Sequence, residues 1–393
     1  MEENDGDTAK ILQDPMSRSL KSREVETMTK HTTLPSEVDS SITRSRTLLF
    51  SRNMNIVELT LLDLTEAVEN DENGEEFTRI LDKTLVLTAK AEDLTDLPST
   101  SRGCRWCCWG IDDGWEPLYG KAEDVKNPLL RYIRVQDRYD RLASLLLKSQ
   151  AFHMANETSV YKRGIPVVEL PRTSHGKPYI PGAKGEPSTE DLSVSHQHPF
   201  AGMARLIPEG SNLKLGMDLV TFQKYNTKLY RSELDFVKVF KGSFSPREWR
   251  AILEAESSFL EFHVRWSIKE AYTKALGLGM GLDFKTFETR LKGVGDSELW
   301  NYVKSSDDQS GLYIQGTVSR QDGEPTRTWA FYFLKLFTKQ KQLKGSVCVC
   351  YGPLPDNLES QTDYPSKDPE KQIVVSWTTL QDLINWHLKT RAT

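Results

Sequence analysis

The spacing of apolar residues divides the chain into a polar first quarter and a patterned remainder. Up to about Pro98, only residues 56–64 and 79–87 carry apolar runs. A segment with so little to bury predicts a mostly disordered extension over residues 1–99, with one or two short helices. The pattern strengthens near Gly103, and the dense apolar and aromatic stretch 104–109 predicts the first strand of a globular core. Over 137–149, Leu142, Leu145 and Leu146 share one side of an amphipathic helix. Strands are predicted at 167–170 and around Val194. Another is predicted from residue 213, where Leu213, Leu215, Met217 and Leu219 alternate with Lys214, Gly216, Asp218 and Val220. Helices follow at about 229–239, 246–256 and 260–276, then strands at 312–318, 329–336 and 346–350. A charged linker over 353–371 leads to a last strand, 372–377, and a short helix, 378–387. Helices and short strands mixed in this way predict an α+β fold.

The densest candidate chemistry lies on the predicted helix 260–276. At about 100° per residue, Glu270 and Lys274 lie about 40° apart on one face, beside Trp266. Leu260, Val264, Ile268, Ala271 and Ala275 form the opposite, buried stripe. Lys269 falls about 100–140° round from the pair. A carboxylate and cations held on a half-buried helix suit a metal ion and a phosphate. Taken alone, the pair is equally an ordinary surface contact worth about 0.2–0.5 kcal/mol. Asp218 interrupts an apolar strand, where it needs a capping hydrogen bond or a cation. His196 ends the alternating run of Leu192, Val194 and their neighbours Ser193 and Ser195. Arg172 and Lys177 flank Gly176 in a turn that presents charge and backbone N–H groups, or is a plain hairpin turn.

Composition narrows the classes. The 393 residues allow two or three domains, and 38% hydrophobic content supports a substantial core. A net charge of −5 argues against a general nucleic-acid binder. No apolar stretch approaches the ~18 residues of a membrane helix. The acidic start lacks an apolar signal core, and the Ser/Thr/Arg-rich stretch 17–46 is a weak transit-peptide feature, so a cytoplasmic location is expected. Five cysteines, an odd count, suit a reducing compartment. Cys104 and Cys107 form a C-x-x-C, but Cys348 and Cys350 have the wrong spacing to complete a zinc site.

Taken in order, these segments resemble the 4′-phosphopantetheinyl transferases of the surfactin-synthetase type, most closely the eukaryotic aminoadipate-semialdehyde dehydrogenase branch. The likeness rests on Gly216-Met217-Asp218 followed by Trp266, Lys269, Glu270, Tyr272 and Lys274 at family spacing. Phe244, Glu248 and Trp249 look like the family's intervening helix start. Arg172, Gly176, Lys177 and Pro178 look like its upstream loop, and Ser193, Ser195 and His196 like its Asn-x-Ser-His strand. The likeness runs from about Arg102 to about Leu383. It implies two similar α/β subdomains, 100–213 and 214–352, related by a pseudo-twofold axis, each a small antiparallel sheet packed with helices. Residues 353–393 would form a linker and a strand–helix unit packed on the core. Two departures stand out. Ser193 replaces the usual asparagine, and Val220 stands where many bacterial members carry a further acid.

The resemblance also implies an activity: a Mg²⁺-dependent holo-[acyl-carrier-protein] synthase that moves the phosphopantetheine arm of coenzyme A to a carrier serine. Asp218 and Glu270 would hold Mg²⁺, with Glu270 and Lys274 catalytic. Arg131, Arg172, Lys177, Ser195, His196, Lys269 and Lys274 would contact coenzyme A. The partners implied are carrier domains of fatty acid synthase, polyketide or peptide synthetases, or aminoadipate reductase, met by a monomer without nucleic acid or membrane. Two other readings use the same features. One is a non-catalytic homologue that binds coenzyme A or a carrier, although Asp218, Glu270 and Lys274 are all present. The other is a different magnesium-dependent phosphate enzyme, although no G-x-x-x-x-G-K-[ST] loop occurs.

Overall fold

The fold comes from a computed structural model that describes residues 56–85, 88–90, 128–156, 167–182, 187–207, 213–223, 225–308, 310–354 and 373–388. In chain order, the first half comprises β1 (Ile56–Asp63), α1 (Thr65–Glu69), α2 (Glu75–Thr84), β2 (Thr88–Lys90), α3 (Val135–Ala155), β3 (Val167–Glu169), β4 (Asp191–Gln197) and β5 (Phe200–Ile207). The second comprises β6 (Lys214–Thr221), α4 (Glu233–Lys238), α5 (Pro246–Glu254), α6 (Ser258–Leu276), β7 (Phe287–Leu291), α7 (Leu299–Ser305), β8 (Leu312–Arg320), β9 (Arg327–Phe337) and β10 (Leu343–Gly352). β11 (Ile373–Thr378) and α8 (Leu380–Leu388) return to the first half.

Two sheets pack face to face between two layers of helix. The first has the order β11-β1-β5-β4 and the second β6-β10-β9-β8-β7. Leu59, Leu61, Phe200 and Leu206 of the first meet Leu215, Met217, Tyr332 and Val349 of the second in one apolar core. The other face of the first sheet is covered by α2, α3 and α8 through Leu62, Phe77, Leu142, Leu146 and Leu383. The other face of the second is covered by α6 and α7 through Val264, Ile268, Leu299, Phe331 and Cys350. The α+β class is as expected. The first sheet is nonetheless mixed, because β1 runs parallel to β11 and antiparallel to β5, whereas the second is wholly antiparallel. Among the described residues, no helix is long and apolar enough to cross a membrane.

The expected boundary at residue 100 does not hold. Residues 56–63 form an interior strand, not a helix in a disordered extension, and Leu59, Leu61, Leu62 and Leu64 are fully buried. The apolar run 79–87 falls largely within α2. The disorder expected before residue 56, the strand expected at 104–109, the C-x-x-C and most of the 353–371 linker lie outside the described residues.

The sheets are joined at an edge by side chains. On β4, Asp191, Ser193, Ser195 and Gln197 point towards β6 and accept the N–H groups of Leu215, Met217, Leu219 and Thr221 at 2.8, 2.9, 3.3 and 2.8 Å. The outer N–H groups of an edge strand would otherwise be buried without partners. This ladder carries β6, and therefore Asp218, alongside β4.

Four buried leucines at about 1.5–3 kcal/mol each make β1 and the turn after it indispensable. A chain starting at Thr100 is expected to be insoluble or to lack a cooperative melt, whereas one starting at Ser51 should melt like the full chain. A folded protein from the shorter version would remove β1 from the core.

Candidate active site

Strand β6 and helix α6 build the site together. α6 starts at Ser257, whose side chain accepts the Leu260 N–H, and ends at Gly277, whose φ of 72° lets the chain turn off the helix. Its buried stripe includes Val264, Ile268, Ala271 and Ala275, as the periodicity predicts. On β6, Leu215, Met217 and Leu219 fill the core between the sheets. Gly216 lies on the opposite face, under α6, and a Cβ there would fall 1.9 Å from Ala271 O and 2.4 Å from Ala275 N. Only glycine permits that approach. It brings the flanking residues Glu270 and Lys274 over Asp218.

The Lys274 ammonium donates to Asp218 Oδ1 at 2.6 Å and to Ser195 Oγ at 3.0 Å, and Ser195 O–H donates to Asp218 Oδ1 at 3.1 Å. Ser195 also receives the Leu219 N–H of the ladder. Glu270, by contrast, takes no side-chain hydrogen bond among the described residues. Burial, aided by the charge of Asp218 and opposed by Lys274, holds its carboxyl above the usual range. These side chains line a cleft of about 370 Å³ with Val194, His196, Gln197, Leu219, Val220 and Trp266. Val220 therefore shares the cleft with Asp218, two residues along the strand.

Cations stand close to the cleft on the side of His196. Burial first, then Arg141, Lys274 and Lys148, push the His196 imidazole down to about 4, so it is neutral near pH 7. Its Nδ1 lies 3.2 Å from Ser144 Oγ, whose hydroxyl proton goes to Asp140 O at 2.8 Å. That arrangement assigns the imidazole proton to Nδ1 and leaves Nε2 as an acceptor. Lys148 is likewise pushed down to about 8 by burial and then by Arg172. Arg141 and Lys148, seven residues apart on α3, share a face with Ser144. Both act on His196 from behind the cleft lining, and sequence reasoning did not single them out. The signal was that spacing, cationic on the side away from Leu142 and Leu146.

Of the residues expected at the site, the structure gathers Ser195, His196, Asp218, Glu270 and Lys274. Arg172 stands in the neighbourhood of Lys148, exposed, with Nη1 on Gly176 O at 2.8 Å. Arg131 is exposed before α3 and does not line the cleft. Two expectations need correction. Lys269 is 1% exposed, and its ammonium is 2.8 Å from Glu248 Oε2, 3.0 Å from Phe284 O and 2.5 Å from Phe287 O. Its turn around the helix directs it into the protein, where it ties α6 to α5 and β7. Lys177 is also engaged, with Asp191 Oδ2 at 2.6 Å, Leu215 O at 2.9 Å and Ala275 O at 3.3 Å. Ser193 accepts the Met217 N–H and is buried, so that position serves the junction between the sheets.

The donor set fits a hard cation. Asp218 and Glu270 are carboxylates on one cleft, and Lys274 already places positive charge on Asp218. Among the described residues, no three His, Cys, Asp or Glu side chains converge. A cation held here would draw its remaining oxygens from water and a bound phosphate, as Mg²⁺ does. A larger groove of about 750 Å³ has a mainly acidic charged lining, with Asp63, Glu66, Glu76 and Asp382 against Lys339, and suits no polyphosphate.

Comparisons with known proteins agree with this geometry. The family model described as the 4′-phosphopantetheinyl transferase superfamily matches residues 214–311, from β6 through α7. The chain is 29% identical over 181 residues to the L-aminoadipate-semialdehyde dehydrogenase-phosphopantetheinyl transferase of Schizosaccharomyces pombe, covering 44% of this chain and 65% of that protein. It is 26% identical over 217 residues to the protein of that name in Homo sapiens, covering 54% and 62%. It is 30% identical over 220 residues to the 4′-phosphopantetheinyl transferase pptA of Paxillus involutus, covering 50% and 76%. The chain thus spans just under two thirds of the length of the first two.

Gly216→Ala should destabilise the fold by about 1–3 kcal/mol, the usual cost of overpacking, or by more because backbone atoms are struck. Thermal or urea melting reads the loss. An unchanged melting curve would mean that α6 does not rest on β6 at that residue.

Proposed function

The chain belongs to the 4′-phosphopantetheinyl transferase superfamily, and on that premise we propose that it transfers the phosphopantetheine arm of coenzyme A to a carrier serine. The observation that carries the reading is the meeting of Asp218, Glu270 and Lys274 beside His196, with the cations Arg141 and Lys148 close behind the imidazole. Two carboxylates at one end suit a metal on the pyrophosphate, and cations at the other suit the remaining phosphate of the nucleotide. The carrier would be an acyl or peptidyl carrier domain, that of aminoadipate reductase included. The two relatives named for aminoadipate-semialdehyde dehydrogenase support that branch.

In this reaction the serine oxygen forms a bond to the β-phosphorus of coenzyme A. The bond from that phosphorus to the bridging oxygen breaks, and 3′,5′-adenosine bisphosphate leaves. Asp218 and Glu270 would hold Mg²⁺, which when bound neutralises charge on the pyrophosphate oxygens. Lys274 shifts its hydrogen bonds from Asp218 and Ser195 towards the departing phosphate. Glu270, or a water that it orients, would take the serine proton. Arg141, Lys148 and Arg172 would hold the adenosine end, and His196 Nε2 would join them as a donor once anion binding protonates it. Trp266 lines the cleft, its ring packed against Phe240 and Phe284. Positioning and charge neutralisation carry most of such a phosphoryl transfer.

The test is mass spectrometry of an apo carrier domain incubated with the full chain, coenzyme A and Mg²⁺. The expected product carries the arm on one serine, and Asp218→Ala and Glu270→Ala should each abolish the addition while leaving the melting transition in place. No addition by the wild type, with a range of carriers, would refute the reading.

Val220, facing the cleft beside Asp218, provides a further check. Val220→Glu should place a third carboxylate at the metal and lower the Mg²⁺ concentration for half-maximal activity. An unchanged or raised value in a folded variant would show that residue 220 does not face the metal.

A further inference from the structure

Lys177 holds a position that no phosphate-binding role explains. An ammonium has three N–H donors. All three are used, on Asp191 Oδ2 at 2.6 Å, Leu215 O at 2.9 Å and Ala275 O at 3.3 Å. These acceptors come from three elements. Asp191 starts β4, Leu215 starts β6, and Ala275 lies in the last turn of α6, next to Lys274. Asp191 Oδ2 also receives the Leu215 N–H at 2.8 Å, so one carboxylate oxygen and one ammonium clasp both ends of the same peptide segment. The aliphatic stem of Lys177 passes under Gly277, the residue that ends α6. A phosphate could reach this ammonium only by displacing one of those partners.

Resting on the transferase reading, we propose that Lys177 is a positioning residue: it fastens the C-terminal turn of α6 to the start of β6 and so sets where Lys274 stands against Asp218. Ala275 O is the acceptor that links Lys177 to the reacting group. Losing it frees the last turn of α6 to fray, because helix-end carbonyls without partners are the first to open. Lys274 then samples positions off the phosphate. The nucleotide pocket on α3 and β4 keeps its side chains, so coenzyme A should bind as before.

This predicts a split between turnover and binding. With the full chain and saturating Mg²⁺ and carrier, Lys177→Met should lower kcat by about tenfold or more, since small misplacements of a reacting group are that costly. Its dissociation constant for coenzyme A, from titration calorimetry, should stay within about twofold of wild type, as expected when only a reaction-stage interaction is lost. Lys177→Met also leaves Asp191 as an unpaired, largely buried carboxylate, which lowers the melting temperature. Adding Asp191→Asn removes that charge and should restore much of the melting temperature while kcat stays low, because the tie to Ala275 is still missing. If the single variant does not fold, the double variant carries the same comparison. Weaker coenzyme A binding with normal kcat would make Lys177 a nucleotide contact and overturn the inference. Recovery of kcat along with melting would make its role only structural and also overturn it. A wild type that binds coenzyme A but modifies no carrier would overturn the transferase reading and this inference together, whereas the first two outcomes overturn this inference alone.

Discussion

Contact between the backbones of α6 and β6 at Gly216 is the constraint on which the cleft depends. A methyl group there would overlap the Ala271 carbonyl, so the helix lies as close to the strand as a backbone allows. The cleft side chains flank that contact: Glu270 beside Ala271, Lys274 beside Ala275, and Asp218 two residues along the strand. Their separations follow from the crossing, not from flexible reach. The left-handed turn at Gly277 and the grip of Lys177 on Ala275 O hold the end of the helix in place. A glycine, a helix stop and a buried lysine, none of them reactive, thus determine where two carboxylates and an ammonium meet.

Electrostatics sets the surroundings of His196 apart from the rest of the chain. The chain as a whole is acidic, with a net charge of −5, yet it gathers Arg141, Lys148 and Lys274 around one imidazole, with Arg172 near Lys148. Burial and mutual repulsion bring Lys148 down to about 8 and His196 down to about 4. Those shifts are free energy stored against the charged forms, and a bound polyphosphate would reverse them by pairing with each cation. Lys269 shows the contrasting case. Only 1% exposed, it is saturated by Glu248 and two carbonyls, and it faces away from the cleft.

The parts legible in the sequence are those governed by local periodicity. The helical stripe of Val264, Ile268, Ala271 and Ala275 and the strand alternation around Asp218 both appear in the structure, with Glu270 and Lys274 on the cleft face. Long-range pairings were not legible. β1 lies between β5 and β11, and its partner Val375 is more than three hundred residues from Leu59, so no local signal separates it from an isolated apolar run in a polar region. β5, Phe200–Ile207, is buried on both faces and rich in small residues, and shows no alternation. The misplacement of Lys269 has a similar cause. Its angle about the helix axis already set it apart from Glu270 and Lys274, but its partner Glu248 lies on another helix. Arg141 and Lys148 needed the α3–β4 contact before their spacing meant anything.

The polar alternation of β4 is the case where pattern and cause separate most. Asp191, Ser193, Ser195 and Gln197 look like the wet face of a half-exposed strand. They are instead acceptors for four consecutive outward N–H groups of β6, and Ser193 and Ser195 are buried. A one-residue shift of β6 would present carbonyls or apolar side chains to those acceptors, so the ladder also sets the register of Asp218. Ser195 shows how closely joint and site are combined. Its oxygen accepts from Leu219 N–H and from Lys274 while its proton goes to Asp218, which uses its full hydrogen-bonding capacity. Were Lys274 to turn away, that oxygen would keep the Leu219 rung and the bond to Asp218. The ammonium can therefore leave its resting partners without loosening the junction that holds the carboxylate.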